Sequence, residues 1–274
     1  MRRFPEPVLL VSDIDGTLLT KNYHIPPRNI TAIRRFQQEG GLFTVATGRS
    51  IESGRDTIRL VEPNAPCIVL NGGMLCTFAT KHTIWSCPLP PAGERMVRGL
   101  YRLFPGTAIE LFTKSDIYLL RGNRYSSSHL ERSGVRGLPV PEEKWPPAVY
   151  KALLMDDEDK IAVIRRHVAQ FPDPELRFFP SSAHYLEMVP ARVNKGAALQ
   201  KLRSLLGIRQ QNTFAIGDYD NDLEMIQSAY LGAAPQNAID EIKASAQLTV
   251  CDCADGAVAD FIAHIESMYH LHNS

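Results

Sequence analysis

Three short, predominantly apolar runs lie close together near the N-terminus, at residues 8–13, 42–46 and 67–70, each bounded by turn-forming residues. An apolar run of that length, without polar alternation, is the pattern of a strand buried on both faces. The segments between them carry helix signals. Pro26-Pro27 open one helix, with Ile30, Ile33 and Phe36 along one side and Gly40-Gly41 to stop it; residues 51–61 form the next, closed by Pro63. Strands and helices alternating as βαβαβ build a parallel sheet with right-handed crossovers. The chain is therefore expected to be α/β.

The pattern changes after Asn71-Gly72-Gly73, which end the third strand. Residues 74–78 and 82–86 suit short paired strands, and Pro88, Pro90 and Pro91 suit a stiff linker. A helix at 92–104 and strands at 107–112 and 116–120 follow. The same order recurs as a helix at 159–171 and strands at 176–179 and 185–189. Between them lie a polar stretch, 124–137, and a strand, 149–155. Two helix-strand-strand units imply a separate α+β domain of about one hundred residues. The βα rhythm then returns, with a helix at 195–206, a strand at 213–216 and helices at 223–228, 238–244 and 258–269. The expected organisation is a discontinuous core, residues 1–86 and 188–274, with an α+β domain inserted at 87–187.

The 274 residues balance 30 Lys and Arg against 30 Asp and Glu. A neutral chain has no global attraction to a nucleic acid polymer or an anionic membrane. The N-terminal apolar run, 8–11, is too short for a signal peptide or a membrane span. Five scattered cysteines fit a reduced, cytoplasmic setting better than a disulfide framework. Cys251 and Cys253 form a CxC that lacks a second Cys/His pair, so a loop is expected there rather than a metal half-site.

The residues that carry chemistry sit at strand ends, where open α/β sheets bind ligands. Asp13 and Asp15, in DIDGT, are two apart and are expected to leave one face of the strand together. The same residues also fit a turn that merely ends a strand. GDYDND, residues 217–222, follows another apolar strand, and a turn with an Asp helix cap is its plain alternative. If the two strand ends are neighbours, Asp13, Asp15, Asp218 and Asp222 converge. Carboxylates that close repel one another unless a cation intervenes. A hard divalent ion with oxygen ligands, most simply Mg²⁺, answers that need. Thr47-Gly48-Arg49 offers a hydroxyl, an open backbone N–H and a guanidinium, which suit phosphate but also an ordinary loop. Lys195 opens a helix behind Asn194, a poor place for a cation unless it serves something else.

These segments resemble the haloacid dehalogenase-like hydrolase superfamily, in particular its Cof-type phosphatases with an inserted C2B cap. DIDGTLL, ATGR, VNKGAAL and GDYDNDLEMI are similar to that family's four motifs, in order, and DGAVADFI to its closing segment. The resemblance implies a Rossmann-like parallel-sheet core and phosphatase activity on a small phosphorylated metabolite, a sugar phosphate, nucleotide or cofactor phosphate. Asp13 would be the nucleophile, forming an aspartyl phosphate, and Asp15 the acid and base. Mg²⁺ would be held by Asp13, the Asp15 carbonyl, Asp218 and Asn221. Thr47, Gly48, Lys195 and Arg49 would bind phosphate, and Asp222 would position Lys195. Tyr219 stands where many relatives carry a small residue; touching substrate and packing are its two readings, and packing is the one expected. Arg121, Arg124, His184, Glu187, Tyr118 and Trp145 are cap candidates for substrate contact, with solvated or buried structural roles as the plain alternatives. A phosphomutase or phosphotransferase, and a non-catalytic binding protein on the same fold, are the competing functions. The assembly is expected to be a monomer or small homo-oligomer.

Overall fold

The computed structural model describes residues 4–270. The chain forms two compact units. One holds everything described up to Gly48, then Arg55–Trp85, then everything from Asn194; the other holds Arg49–Gly54 and Ser86–Val193.

The chain opens with β1 (Leu9–Ser12), α1 (Pro27–Gln38), β2 (Leu42–Val45), α2 (Arg55–Val61) and β3 (Cys67–Val69), followed by β4 (Met74–Cys76) and β5 (Thr83–Ser86). Next come α3 (Pro91–Leu103), β6 (Ala108–Phe112), β7 (Ile117–Arg121), α4 (Arg124–Ser133), β8 (Gly137–Pro139), β9 (Lys151–Met155), α5 (Glu158–Gln170), β10 (Leu176–Ser182) and β11 (Tyr185–Pro190). The remainder is α6 (Lys195–Leu206), β12 (Thr213–Ile216), α7 (Leu223–Ser228), β13 (Leu231–Pro235), α8 (Asp240–Ser245), β14 (Leu248–Val250) and α9 (Ala257–His270).

In the first unit the main sheet has five strands, all parallel, in the order β14-β13-β12-β1-β2. The interior strand β1 is buried along its whole length, because helices cover both faces. Leu9 and Val11 join Leu199, Leu202, Ala215 and Met225 in one apolar cluster. On the opposite face Phe214 meets Phe261 edge to face, ring centroids 6.3 Å apart. Burial on both faces is what the unalternated apolar runs encode. β3 is bridged to the end of β2, from Ala46 to Ile68, and forms its own small sheet with β4 and β5.

The second unit is a six-stranded mixed sheet, β10-β11-β9-β6-β7-β8, in which only β7 and β8 run parallel. α3 and α5 press Val97, Leu100, Ile161 and Ile164 against Ile109, Leu111, Leu154 and Met188. Side chains of this size each stabilise by about 1.5–3 kcal/mol when fully buried. No helix among the described residues is long and apolar enough to cross a membrane.

The structure corrects several expected elements. The polar stretch 124–137 contains the helix α4. Asn123 caps it: its Oδ1 accepts from the Tyr125 and Ser126 amides at 2.9 and 3.2 Å, while its own N–H donates to Ser126 Oγ at 2.9 Å. Only Ser126 of this helix is buried, so apolar periodicity could not reveal it. α2 starts at Arg55 because Ser50 and Ser53 trade hydrogen bonds and hold the preceding residues in a turn. Pro91 is the first residue of α3 rather than part of a linker. β13, made mostly of small residues, and β14, only three residues long, match no strand expected from the sequence.

Candidate active site

β1 is the point where strand order reverses: the chain moves from it to β2 on one side and reaches β12 on the other. The crevice beyond such a switch point is where open parallel sheets hold ligands. Ser12 pairs with Ile216, so the loops leaving both strands start level. The Asp13 amide donates to the Ile216 carbonyl at 2.9 Å, and its carboxylate is buried.

Asp15 differs from the sequence expectation. β1 ends at Ser12, and residues 14–19 form a turn closed by bonds from the Leu19 amide to the Ile14 carbonyl (2.7 Å) and from the Gly16 amide to the Leu19 carbonyl (3.1 Å). Strand alternation therefore does not apply, and Asp15 is exposed while Asp13 is not. The carboxylates that meet are those of Asp13, Asp218 and Asp222, with ligand atoms within 4.8 Å of one another. Gly16 takes φ +86°, and a Cβ there would fall 2.3 Å from Asp218 Oδ2, so only glycine lets the loop lie this close.

Lys195 is fully buried at the start of α6, where Asn194 Oδ1 accepts from the Ala197 amide at 2.7 Å. Its Nζ donates to Asp13 Oδ1 and Asp222 Oδ1, each at 2.6 Å. This explains a cation at a helix N-terminus: two carboxylates outweigh the dipole. Asp222 uses its other oxygen to accept from the Asp218 and Tyr219 amides, at 3.0 and 3.2 Å. Asp222 thus holds both Lys195 and the loop. Thr17 Oγ1 donates to Asp218 Oδ1 at 2.7 Å.

Three carboxylates thus face one ammonium. Burial pushes the Asp13 carboxyl well up; Lys195 opposes that, while Asp222, Asp218 and Asp15 add to it. Burial and Asp222 push the Asp218 carboxyl up to about 7, against the Thr17 bond. Burial alone would lower the Lys195 ammonium, but Asp13 and Asp222 outweigh it and hold it raised. The donors are all oxygens and negative charge is in excess, a set that fits a hard divalent cation such as Mg²⁺. A pH dependence follows. Asp218 titrates near 7 when folded, against about 3.9 in an unfolded chain. The folded chain keeps a proton across that window, so stability without the cation falls as pH rises from about 4 to about 7. Mg²⁺ is expected to raise the melting temperature more at about pH 8 than at about pH 5.5, where it must displace protons. Equal shifts at the two pH values, measured by calorimetry, would contradict this.

Thr47, just beyond β2, is buried; its amide donates to the Ile68 carbonyl at 2.9 Å. Asn221 Nδ2 donates to Asn71 Oδ1 at 3.0 Å. Arg49 groups with the second unit, its guanidinium on the Ser53 carbonyl at 3.4 Å. Tyr219 does not pack as expected: its ring is exposed. Asn237, absent from the sequence reading, donates from Nδ2 to the Gly16 carbonyl at 2.7 Å and accepts from the Cys253 amide at 2.8 Å. A lone Asn in a polar loop gives no signal of that reach. Cys251 and Cys253 lie in a separate segment between β14 and α9, and among the described residues no metal-ligand cluster contains a cysteine.

Among the cap candidates, Arg121 closes the end of α3, stacking 3.6 Å from the Tyr101 ring centroid and donating to the Tyr101 and Phe104 carbonyls. Arg124 pairs with Asp157, and His184 stacks on Tyr125 at 4.8 Å. Glu187 is not solvated but buried, 3.0 Å from Lys151. Tyr118 and Trp145 pack on the apolar core of the second unit.

A sequence model described as haloacid dehalogenase-like hydrolase matches residues 10–262. A 5-amino-6-(5-phospho-D-ribitylamino)uracil phosphatase of Bacillus subtilis is 25% identical over 275 residues, covering 96% of this chain and 99% of that one. An HMP-PP phosphatase of Cronobacter sakazakii is 26% identical over 268 residues, covering 94% and 96%. The crystal structure of a haloacid dehalogenase-like hydrolase from Bacteroides thetaiotaomicron superimposes with a TM-score of 0.84 at 24% identity, covering 95% of this chain and all of that one.

Proposed function

The chain belongs to the haloacid dehalogenase-like hydrolase family and is a phosphatase; from that premise we propose that it hydrolyses small phosphorylated metabolites, with Asp13 as nucleophile and Mg²⁺ as cofactor. The observation that carries this reading is the grouping of buried Asp13 and Asp222 with half-buried Asp218 about Lys195 at the β1/β12 switch point.

A carboxylate oxygen of Asp13 attacks phosphorus, the bond from phosphorus to the ester oxygen breaks, and that oxygen takes a proton from Asp15. Asp15, now a carboxylate, removes a proton from water; the water oxygen attacks phosphorus, releasing phosphate and restoring Asp13. An exposed Asp15 suits both tasks, since it must reach the leaving group and then water. Lys195 keeps Asp13 oriented and offers positive charge to the transferring group. Thr47 and the Gly48 amide cradle the phosphoryl oxygens, with Arg49 as a further anion-binding group. Asp13, the Asp15 carbonyl, Asp218 and Asn221 would hold Mg²⁺, which when bound neutralises charge on the phosphoryl oxygens. Asp222 positions Lys195. Choice of leaving group is assigned to an inserted cap at 87–187.

The named relatives act on 5-amino-6-(5-phospho-D-ribitylamino)uracil and on HMP-PP, which supports a small phosphorylated metabolite as substrate. The test is a panel of such compounds with Mg²⁺, reading phosphate release. Release without an acceptor, abolished by a chelator, is expected; strict dependence on a sugar acceptor or bisphosphate activator would make the chain a phosphotransferase or mutase.

A further inference from the structure

The turn between β3 and β4, a strand stop from sequence alone, holds three successive left-handed residues: Leu70, Asn71 and Gly72 have φ of 54°, 56° and 95°. For Leu such backbone is sterically unfavourable, and it persists where surrounding contacts over-determine it. All three residues are buried.

Their contacts reach three of the loops that carry proposed site residues. The Asn71 amide donates to the Thr47 carbonyl at 2.9 Å. Its carboxamide lies on Gly48, where a Cβ would come 3.0 Å from Asn71 Oδ1. The Gly72 backbone abuts the residue that caps α6 ahead of Lys195: a Cβ at Gly72 would fall 2.3 Å from the Asn194 carbonyl oxygen. Asn71 Oδ1, finally, accepts from Asn221 Nδ2 at 3.0 Å.

That last bond has a chemical consequence. A carboxamide has a donor end and an acceptor end. With its NH₂ committed to Asn71, Asn221 is left to present its oxygen; turned over, it would offer a cation two N–H groups. Hard cations take oxygen. We propose that Asn71 is a positioning residue that sets the Asn221 carboxamide, so that its oxygen is the end offered to the divalent cation. The inference rests on the Mg²⁺ site proposed above and deepens it. Thr47, Gly48 and Asn221 are thereby tied to one rigid turn.

The test is calorimetric titration of Mg²⁺ into the full chain and its variants, with activity measured against Mg²⁺ concentration. Asn71→Gly keeps the left-handed backbone and deletes the carboxamide; it is expected to weaken Mg²⁺ binding about tenfold or more, the usual effect of losing a ligand's outer partner. Asn71→Ser, too short to reach Asn221, should do the same and stands in if the glycine variant does not fold. Asn71→Asp keeps the acceptor, and its Mg²⁺ affinity should stay at or above wild type. In each case the rate at saturating Mg²⁺ should fall far less than the affinity. In an Asn221→Ala background, Asn71→Gly should weaken binding no further. Wild-type affinity in folded Asn71→Gly or Asn71→Ser, or an undiminished loss in the Asn221→Ala background, overturns the proposal. A wild-type chain that binds no Mg²⁺ overturns it together with the metal reading. A wild type that binds Mg²⁺ and releases phosphate beside unaffected Asn71 variants overturns this inference alone.

Discussion

Asp13→Asn is expected to lower the rate of phosphate release by about 10⁴-fold or more at saturating substrate and Mg²⁺, since a carboxamide oxygen is too weak a nucleophile to open the phosphate ester. The protein should remain folded. The amide oxygen can still accept the Lys195 bond made at 2.6 Å, and one of the mutually repelling carboxylates is gone. Steady-state phosphate release beside thermal unfolding of the same preparation measures both effects. A folded Asp13→Asn protein with wild-type Mg²⁺-dependent turnover would remove Asp13 from the mechanism.

Lys195→Met should have the second large effect, on stability as much as on activity. Lys195 is fully buried and bonds both Asp13 and Asp222. Removing one partner of a buried ion pair leaves uncompensated charge and costs about 3–5 kcal/mol. Mg²⁺ should return part of that stability by neutralising the same carboxylates, while activity stays lost because nothing orients Asp13. The double variant Lys195→Met/Asp222→Asn removes charge of both signs, so it should unfold at higher denaturant than Lys195→Met alone and remain inactive. If Lys195→Met matched wild type in urea unfolding without Mg²⁺, the ammonium would not be the counter-charge that holds this cluster together.

Much of this site is legible in the sequence because its pieces sit where local patterns are strongest. Unalternated apolar runs mark β1, β2 and β12, and the residues at their ends follow from position alone. Lys195 stands out as a charge opposed to its helix dipole. Elsewhere local pattern fails for identifiable reasons. α4 has almost no buried face, so its signal lies in the Asn123 cap and not in periodicity. Asp15 is two residues from Asp13, but the strand ends at Ser12 and the turn that follows leaves Asp15 exposed and Asp13 buried. Asn71 and Asn237 look like ordinary turn residues, since their partners Asn221 and Gly16 lie far off in the chain.

Local pattern along the chain suffices for the α/β class, the strand ends that carry carboxylates, and the match of four ordered segments to a phosphatase family. Tertiary structure alone decided which carboxylates meet. Thr17 and Asp218, 201 positions apart, touch because β1 and β12 are sheet neighbours at the switch point. It also decided that Lys195 lies between Asp13 and Asp222, that Asp222 holds both Lys195 and the loop, and that a left-handed turn sets Asn221. Periodicity and local propensity report on neighbours along the chain. The charge balance of a buried site depends on neighbours across the sheet, which only the folded strand order brings together.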